Sequence, residues 1–263
     1  MNRNPSEPWS VKHKPVAGTH FFFATAPIPC PYLPGRMERR LVAELVGPHA
    51  DAFHDTLSQA GFRRSHRFAY VPVCRDCNAC ATVRIVVPAF QPSRTQRRVM
   101  ARNRDLTGRD RAARATHEQF TLFHRYQDVR HAGGEMARMD FFDYQALVED
   151  TPVDTRVFEF RDPAGTLIAA CIADRVSDGL SAVYSYFDPR SPRSSLGTFI
   201  ILWLVARARD LGLRHVYLGF WVADCGKMAY KASFQPLEAY TPEGWQPLRP
   251  DEPETTRHFR SSA

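Results

Sequence analysis

Apolar positions that recur every three or four residues mark helices along this chain, and β-branched or aromatic runs mark strands. An amphipathic stretch from about Ala50 to Ala60 ends at Gly61, a residue suited to stopping a helix. Phe68 to Val73 and Thr82 to Val87 read as strands joined by a cysteine-bearing loop. Ser93 stands where a cap would open an arginine-rich helix. Thr116 and Gln119 form a capping-box pattern ahead of Phe120, Phe123 and Tyr126, which share helical spacing. Gly133 and Gly134 close that second helix, and a short helical piece follows from Phe141 to Val148.

The pattern then changes to strands over Arg156–Phe160, Leu167–Asp174 and Ala182–Phe187, the first two separated by an Asp-Pro-Ala-Gly turn. Leu196, Phe199, Ile200, Trp203, Leu204 and Leu211 define a helix, with Ser194 or Ser195 as its cap and Gly212 as its stop. A strand over Val216–Gly219, a helix from about Asp224 to Ser233 and a last strand over Gln235–Tyr240 complete the series. The order β-β-β-α-β-α-β is that of an N-acetyltransferase-like unit. The expected fold class is α/β (α+β). A smaller N-terminal cysteine-bearing α/β domain covers residues 1–115, a mixed sheet with flanking helices covers 116–245, and a polar tail covers 246–263.

A chain of 263 residues is long enough to bury two cores. Its 44% apolar and 12% aromatic content argues against disorder, although the first dozen residues are polar and Pro-rich. Nothing near Met1 has the form of an export signal, and no apolar run approaches the length of a bilayer span, so a soluble, cytoplasmic protein is expected, with no membrane partner. The net charge of +7 is unevenly placed. Arg94, Arg97, Arg98, Arg102, Arg104, Arg109, Arg111 and Arg114 crowd one segment, diluted only by Asp105 and Asp110. A polyanion would gain from such a cluster by counterion release, and guanidinium forks suit phosphate. The plain alternative is a solvated helix face.

Six cysteines without an export signal are expected to be reduced thiols. Cys74, Cys77 and Cys80 recur at two-residue intervals, with Cys30 available as a fourth ligand, a set that suits zinc or an iron–sulfur cluster. The competing reading is that they are small buried apolar residues. Ser194-Ser195-Leu196-Gly197 opens a helix where backbone N–H groups can meet an anion, with less glycine than a coenzyme A pyrophosphate site usually carries. Tyr184, Tyr186 and Asp188 alternate along a strand and can share one sheet face. Lys227, Tyr230 and Lys231 fall at i, i+3 and i+4, on one face of a helix. Cys171 reads as core, and Cys225 lacks assignable catalytic partners.

Several segments, in one order along about four-fifths of the chain, resemble the arginyl-transferase family and in particular its bacterial aspartate/glutamate leucyltransferase branch. They are Cys30-Pro-Tyr-Leu-Pro-Gly-Arg36, Gly61-Phe-Arg-Arg-Ser65, Cys74-x-x-Cys77-x-x-Cys80, Ser93-Arg-Thr-Gln-Arg-Arg98, Tyr184-Ser-Tyr-Phe-Asp-Pro189, Ser195-Leu-Gly197, and Tyr217-Leu-Gly-Phe-Trp221 with Lys227-Met-Ala-Tyr-Lys231. The resemblance implies an acyl group taken from charged tRNA, with Leu-tRNA favoured, and passed to proteins that begin with Asp or Glu, which marks them for N-end-rule degradation. Aminolysis of an ester requires no cofactor.

On this reading Tyr184, Tyr186 and Asp188 hold or deprotonate the acceptor amine, and Lys227 and Lys231 contact phosphate or the acceptor carboxylate. Ser195, Leu196 and Gly197 face the tRNA 3′ end, and one of Arg36, Arg84, Arg94, Arg97 and Arg98 selects the acidic acceptor. An arginyl donor, an acyl-CoA-dependent N-acyltransferase and a non-catalytic metal-containing RNA-binding regulator are the alternatives.

Overall fold

The computed structural model describes residues 19–249. Four short strands open it: β1 (Phe22–Ala24), β2 (Ile28–Pro29), β3 (Met37–Glu38) and β4 (Arg40–Glu44). Then come α1 (Ala50–Gln59), β5 (Arg63–Ser65), β6 (Phe68–Pro72), β7 (Ala81–Val86), α2 (Arg94–Arg102), β8 (Thr107–Ala112), α3 (His117–Arg130) and α4 (Phe141–Glu149). The remainder is β9 (Thr155–Arg161), β10 (Leu167–Val176), β11 (Gly179–Phe187), α5 (Leu196–Asp210), β12 (His215–Trp221), α6 (Gly226–Ala229), β13 (Leu237–Thr241) and β14 (Gly244–Pro247).

Eight strands make one large sheet in the order β14-β13-β7-β12-β11-β10-β9-β8. Strand β10, inside that sheet between β11 and β9, reads as a nearly unbroken apolar run because both of its faces are covered. Side chains of alternate strand positions divide between the faces. Phe158, Phe160, Ala169 and Cys171 pack with Phe199, Ile200 and Leu204 of α5. Val157, Ala170 and Ile172 pack with Leu122 and Phe123 of α3 and Tyr144 of α4. A helix crossover from β11 through α5 to β12 makes those two strands parallel neighbours, as the N-acetyltransferase-like order anticipates.

That parallel pairing is short. Gly179, Leu180 and Ser181 pair with His215, Val216 and Tyr217, after which β11 and β12 diverge. Each strand carries an irregularity beside the fork. In β11, Val183 is the extra residue where the register against β10 shifts, and β12 shifts against β7 between Tyr217 and Gly219. Gly219 has φ of 70°, a conformation natural to glycine.

A second sheet, β1-β4-β6-β5, packs α1 over Ala43, Leu45 and Ala69. The large sheet runs across position 115, since β7 lies between β12 and β13 and β8 forms the far edge. Several expectations need correcting. The strands before residue 45 and the edge strand β8 escaped the pattern because they are short or lined by exposed charges. The helix expected over Asp224–Ser233 is a four-residue α6 followed by a tight turn at Tyr230–Ser233. Residues 246 and 247 belong to β14 and Leu248 is buried, so the polar tail begins later. The expectations for the first dozen residues and for 250–263 lie outside the described residues. No helix among the described residues is long and apolar enough to cross a membrane.

Candidate functional site

The fork between β11 and β12 collects polar groups from four parts of the chain. Tyr184, just past the bulge, accepts a hydrogen bond from Gln127 Nε2 of α3 at 2.7 Å. The amide thereby leaves the phenolic hydrogen free to be donated elsewhere. Burial pushes the Tyr184 phenol up to about 12, so it is a neutral donor at neutral pH. From β5, Arg63 reaches across and donates from Nη2 to the carbonyl of Val183. From the turn after α6, Lys231 Nζ donates to Leu218 O at 2.8 Å and Phe220 O at 2.6 Å. Side chains thus satisfy three carbonyls that the diverging strands leave without ladder partners.

Lys231 is 5% exposed. Burial first, and then the neighbouring Arg63, lowers its ammonium to about 7, while Cys225 acts in the opposite sense. A neutral amine has two hydrogens, and both find carbonyls here. The expectation that Lys231 shares a surface face with Lys227 is therefore corrected: the turn after α6 rotates it inward, whereas Lys227 stays exposed, close enough to His131 to help lower that imidazole.

Tyr184, Tyr186 and Asp188 do share a face, the one covered by α3 and α4. Their settings differ. Tyr186 has no exposed surface and its hydroxyl meets that of Tyr144, which in turn donates to Gln119. A group sealed in this way holds β11 against α4 and touches no substrate. Asp188 accepts from Arg125 Nη1 at 2.9 Å and from the Arg190 amide at 3.0 Å, so its carboxylate fixes the turn that leads toward α5.

At the start of α5, Ser195 occupies the N-cap in a left-handed conformation (φ 60°) and makes no side-chain cap bond. The first amides of the helix are consequently open to an anion. Leu196 points into the core, and only its backbone is available. At Gly197 an added Cβ would meet Phe187 at an ordinary 3.7 Å, so glycine is not required there by sterics. Arg102 donates to Ser194 Oγ at 3.2 Å, and a surface recess lined by Arg102, Pro192, Arg193 and Ser194 opens beside the helix start. Arg94, Arg97 and Arg98 lie exposed on the same α2, which packs on α5 and turns Gln96 and Val99 inward. The arginine-rich helix and the anion-ready helix start, separate in sequence, are neighbours in space.

Arg84 has a different fate. It pairs with Glu238 at 2.8 Å and Asp178 at 3.6 Å and lies over the Trp245 ring, so its charge is already neutralised inside the protein. This removes it from the candidates for acceptor selection. Arg36 is exposed at the rim of a small pocket that it lines with Cys30, Tyr32, Glu38, Cys74, Cys77 and Cys80. All four thiols thus line one pocket. Burial and the neighbouring thiols push Cys80 up to about 12. Their chemistry suits a soft metal centre, yet among the described residues no group of three or more His, Cys, Asp or Glu stands in a metal-holding arrangement.

Two family profiles match, both described as arginine-tRNA-protein transferase: the N-terminal part over residues 28–98 and the C-terminal part over 118–241. The chain belongs to the arginine-tRNA-protein transferase family. Among curated relatives, the aspartate/glutamate leucyltransferase of Paramagnetospirillum magneticum is 55% identical over 91% of this chain and 98% of its own. That of Gluconacetobacter diazotrophicus is 54% identical over 88% of each. Among solved structures, the C-terminal domain of a putative lysylphosphatidylglycerol synthetase from Agrobacterium fabrum aligns with a TM-score of 0.48 at 16% identity, covering 78% of this chain and 65% of that one.

Within this transferase family member, the residues expected from sequence fall in two places: Tyr184 lies at the fork, and the α2 arginines lie beside the start of α5. Gln127 and Arg63 are not among those expected. Arg63 lies in the Gly61–Ser65 segment, where two adjacent arginines on a short strand were the available signal: alternation sends one to each face, and one of them must be partnered inside.

Proposed function

We propose that this chain transfers leucine from Leu-tRNA to the α-amine of proteins beginning with Asp or Glu, in the cytoplasm, and so marks them for N-end-rule degradation. The observation that carries the reading is the likeness, at about half identity and over nine-tenths of the chain, to relatives named aspartate/glutamate leucyltransferase. On this reading the chemistry takes place at the fork. The acceptor α-ammonium loses one proton to solvent, its neutral nitrogen bonds to the ester carbonyl carbon, and the C–O bond to the tRNA ribose breaks as a second proton leaves the nitrogen and the ribose oxygen takes one up. Tyr184, held by Gln127, donates its free hydrogen to the oxygen that gathers charge. Exposed Arg94, Arg97 and Arg98, with the open amides of α5, receive the phosphates of the donor.

The test offers labelled Leu-tRNA and Arg-tRNA with peptides that start with Asp, Glu, Arg or Ala, and follows label into peptide. Transfer of leucine to the acidic peptides alone is expected. Transfer of arginine instead would make the chain an arginyltransferase, and no transfer from either tRNA would remove the reading. For the four thiols, zinc or an iron–sulfur cluster remains the proposed occupant. Metal analysis of protein purified without chelator, set against the Cys77→Ser variant, tests it.

A further inference from the structure

Arg63 is half-buried at the mouth of the fork, yet no carboxylate among the described residues pairs with it. Other arginines in comparable positions are neutralised: Arg64, its neighbour in sequence, by Asp174, and Arg84 by Glu238. Among the described residues Arg63 makes one hydrogen bond, from Nη2 to the carbonyl of Val183, and the phenols of Tyr32, Tyr184 and Tyr230 and a second cation, Lys231, lie near enough to feel its charge. The backbone makes room for it. A Cβ on Gly219 would lie 2.8 Å from Arg63 Nη1 and 3.2 Å from Cδ and Cζ, so the glycine bulge of β12 is the floor on which the guanidinium rests. A half-buried guanidinium with most of its five donors unused, held by a carbonyl and seated on a glycine floor, is suited to receive an anion.

Two anions are available in the proposed reaction, a phosphate of the donor and the side-chain carboxylate of the acceptor. Geometry favours the second. The phosphate-ready groups, the start of α5 and the α2 arginines, gather around Ser194 and Arg102, whereas Arg63 comes from β5 and bonds the residue next to Tyr184, where the acceptor amine must react. We propose that Arg63 grips the side-chain carboxylate of the acceptor's N-terminal Asp or Glu and thereby sets the enzyme's preference for acidic acceptors. This rests on the transfer reading above.

The test uses full-length wild type, Arg63→Gln and Arg63→Lys, with Leu-tRNA and peptides that differ only in a first residue of Asp, Glu or Asn. Leucine transfer to Asp and Glu peptides by the wild type comes first, since its absence would sink the transfer reading rather than this assignment. Arg63→Gln is then expected to raise KM for Asp and Glu peptides roughly 10- to 100-fold, the size of a charge-assisted hydrogen bond. KM for Leu-tRNA should stay within about twofold, and the preference for Asp over Asn should collapse. Arg63→Lys keeps the charge without the planar fork and should fall between the two. If Arg63 only braced the fork, all three peptides would lose equally and the melting temperature would fall with them. If it held donor phosphate, KM for Leu-tRNA would rise while acceptor preference persisted. Either result overturns the assignment.

Discussion

Arg64 and Asp174 form a bidentate pair, Nε to Oδ2 at 2.6 Å and Nη2 to Oδ1 at 2.7 Å, with 2% and 0% of their surfaces exposed. Thr155 adds a hydrogen bond to Asp174 at 2.7 Å, and His54 stands 3.7 Å away. The pair joins β5 of the four-stranded sheet to β10, an interior strand of the large one. It also fixes which way β5 faces, and with it the outward course of Arg63. Breaking one partner leaves a buried charge without its counterpart, so Asp174→Asn should lower stability by about 3–5 kcal/mol, read from denaturant unfolding. A loss below about 1 kcal/mol would mean that the contact contributes little to the union of the two sheets.

The two tyrosines of β11 are separable by experiment. Tyr184→Phe removes the free phenolic hydrogen and should cut kcat for leucine transfer roughly 100-fold with little change in melting temperature. Tyr186→Phe removes a sealed hydroxyl contact to Tyr144 and should cost about 1 kcal/mol of stability while leaving the rate near that of the wild type. Steady-state kinetics and thermal melts on the same preparations check both. A reversed pattern would move the chemistry away from Tyr184.

Lys231 gives the fold a pH signature. Its ammonium is lowered from 10.5 to about 7, so between those values the unfolded chain holds a proton that the native one has released. Unfolding free energy should therefore rise with pH across that window, by at most about 1.4 kcal/mol per unit from this group. Lys231→Met should flatten that rise. Urea unfolding of both proteins between about pH 7 and 9 makes the comparison, and equal slopes would show that the amine stays charged.

For the α2 surface, replacing Arg94, Arg97 and Arg98 together by Ala should weaken Leu-tRNA binding and reduce the slope of log K against log salt by about two to three, at somewhat under one for each phosphate no longer neutralised. Binding titrations over a salt series measure it. An unchanged slope would return these arginines to the role of a solvated face.

Much of the architecture was readable from local chemistry. The capping boxes at Ser93–Gln96 and Thr116–Gln119 form as their sequences require, and α5 follows its apolar spacing. What escaped needed tertiary information. Lys231 sits four positions after Lys227, a spacing that predicts a shared exposed face, but α6 lasts four residues and the next turn is tighter. Arg84 looks available in sequence because its partners, Asp178 and Glu238, stand far along the chain. The arginine run conceals an edge strand, since β8 is held to β9 by hydrogen bonds and hides few side chains.

The place of β7 bears on how the molecule is made. Its neighbours in the sheet, β12 and β13, leave the ribosome more than a hundred residues after it, so β7 must wait with both edges open until they arrive. Long-range pairing of this kind slows folding and exposes an aggregation-prone strand in the interval. A chain truncated before Leu237 would strand β7 at a sheet edge. The order of synthesis thus withholds a finished centre until almost the last strand is in place.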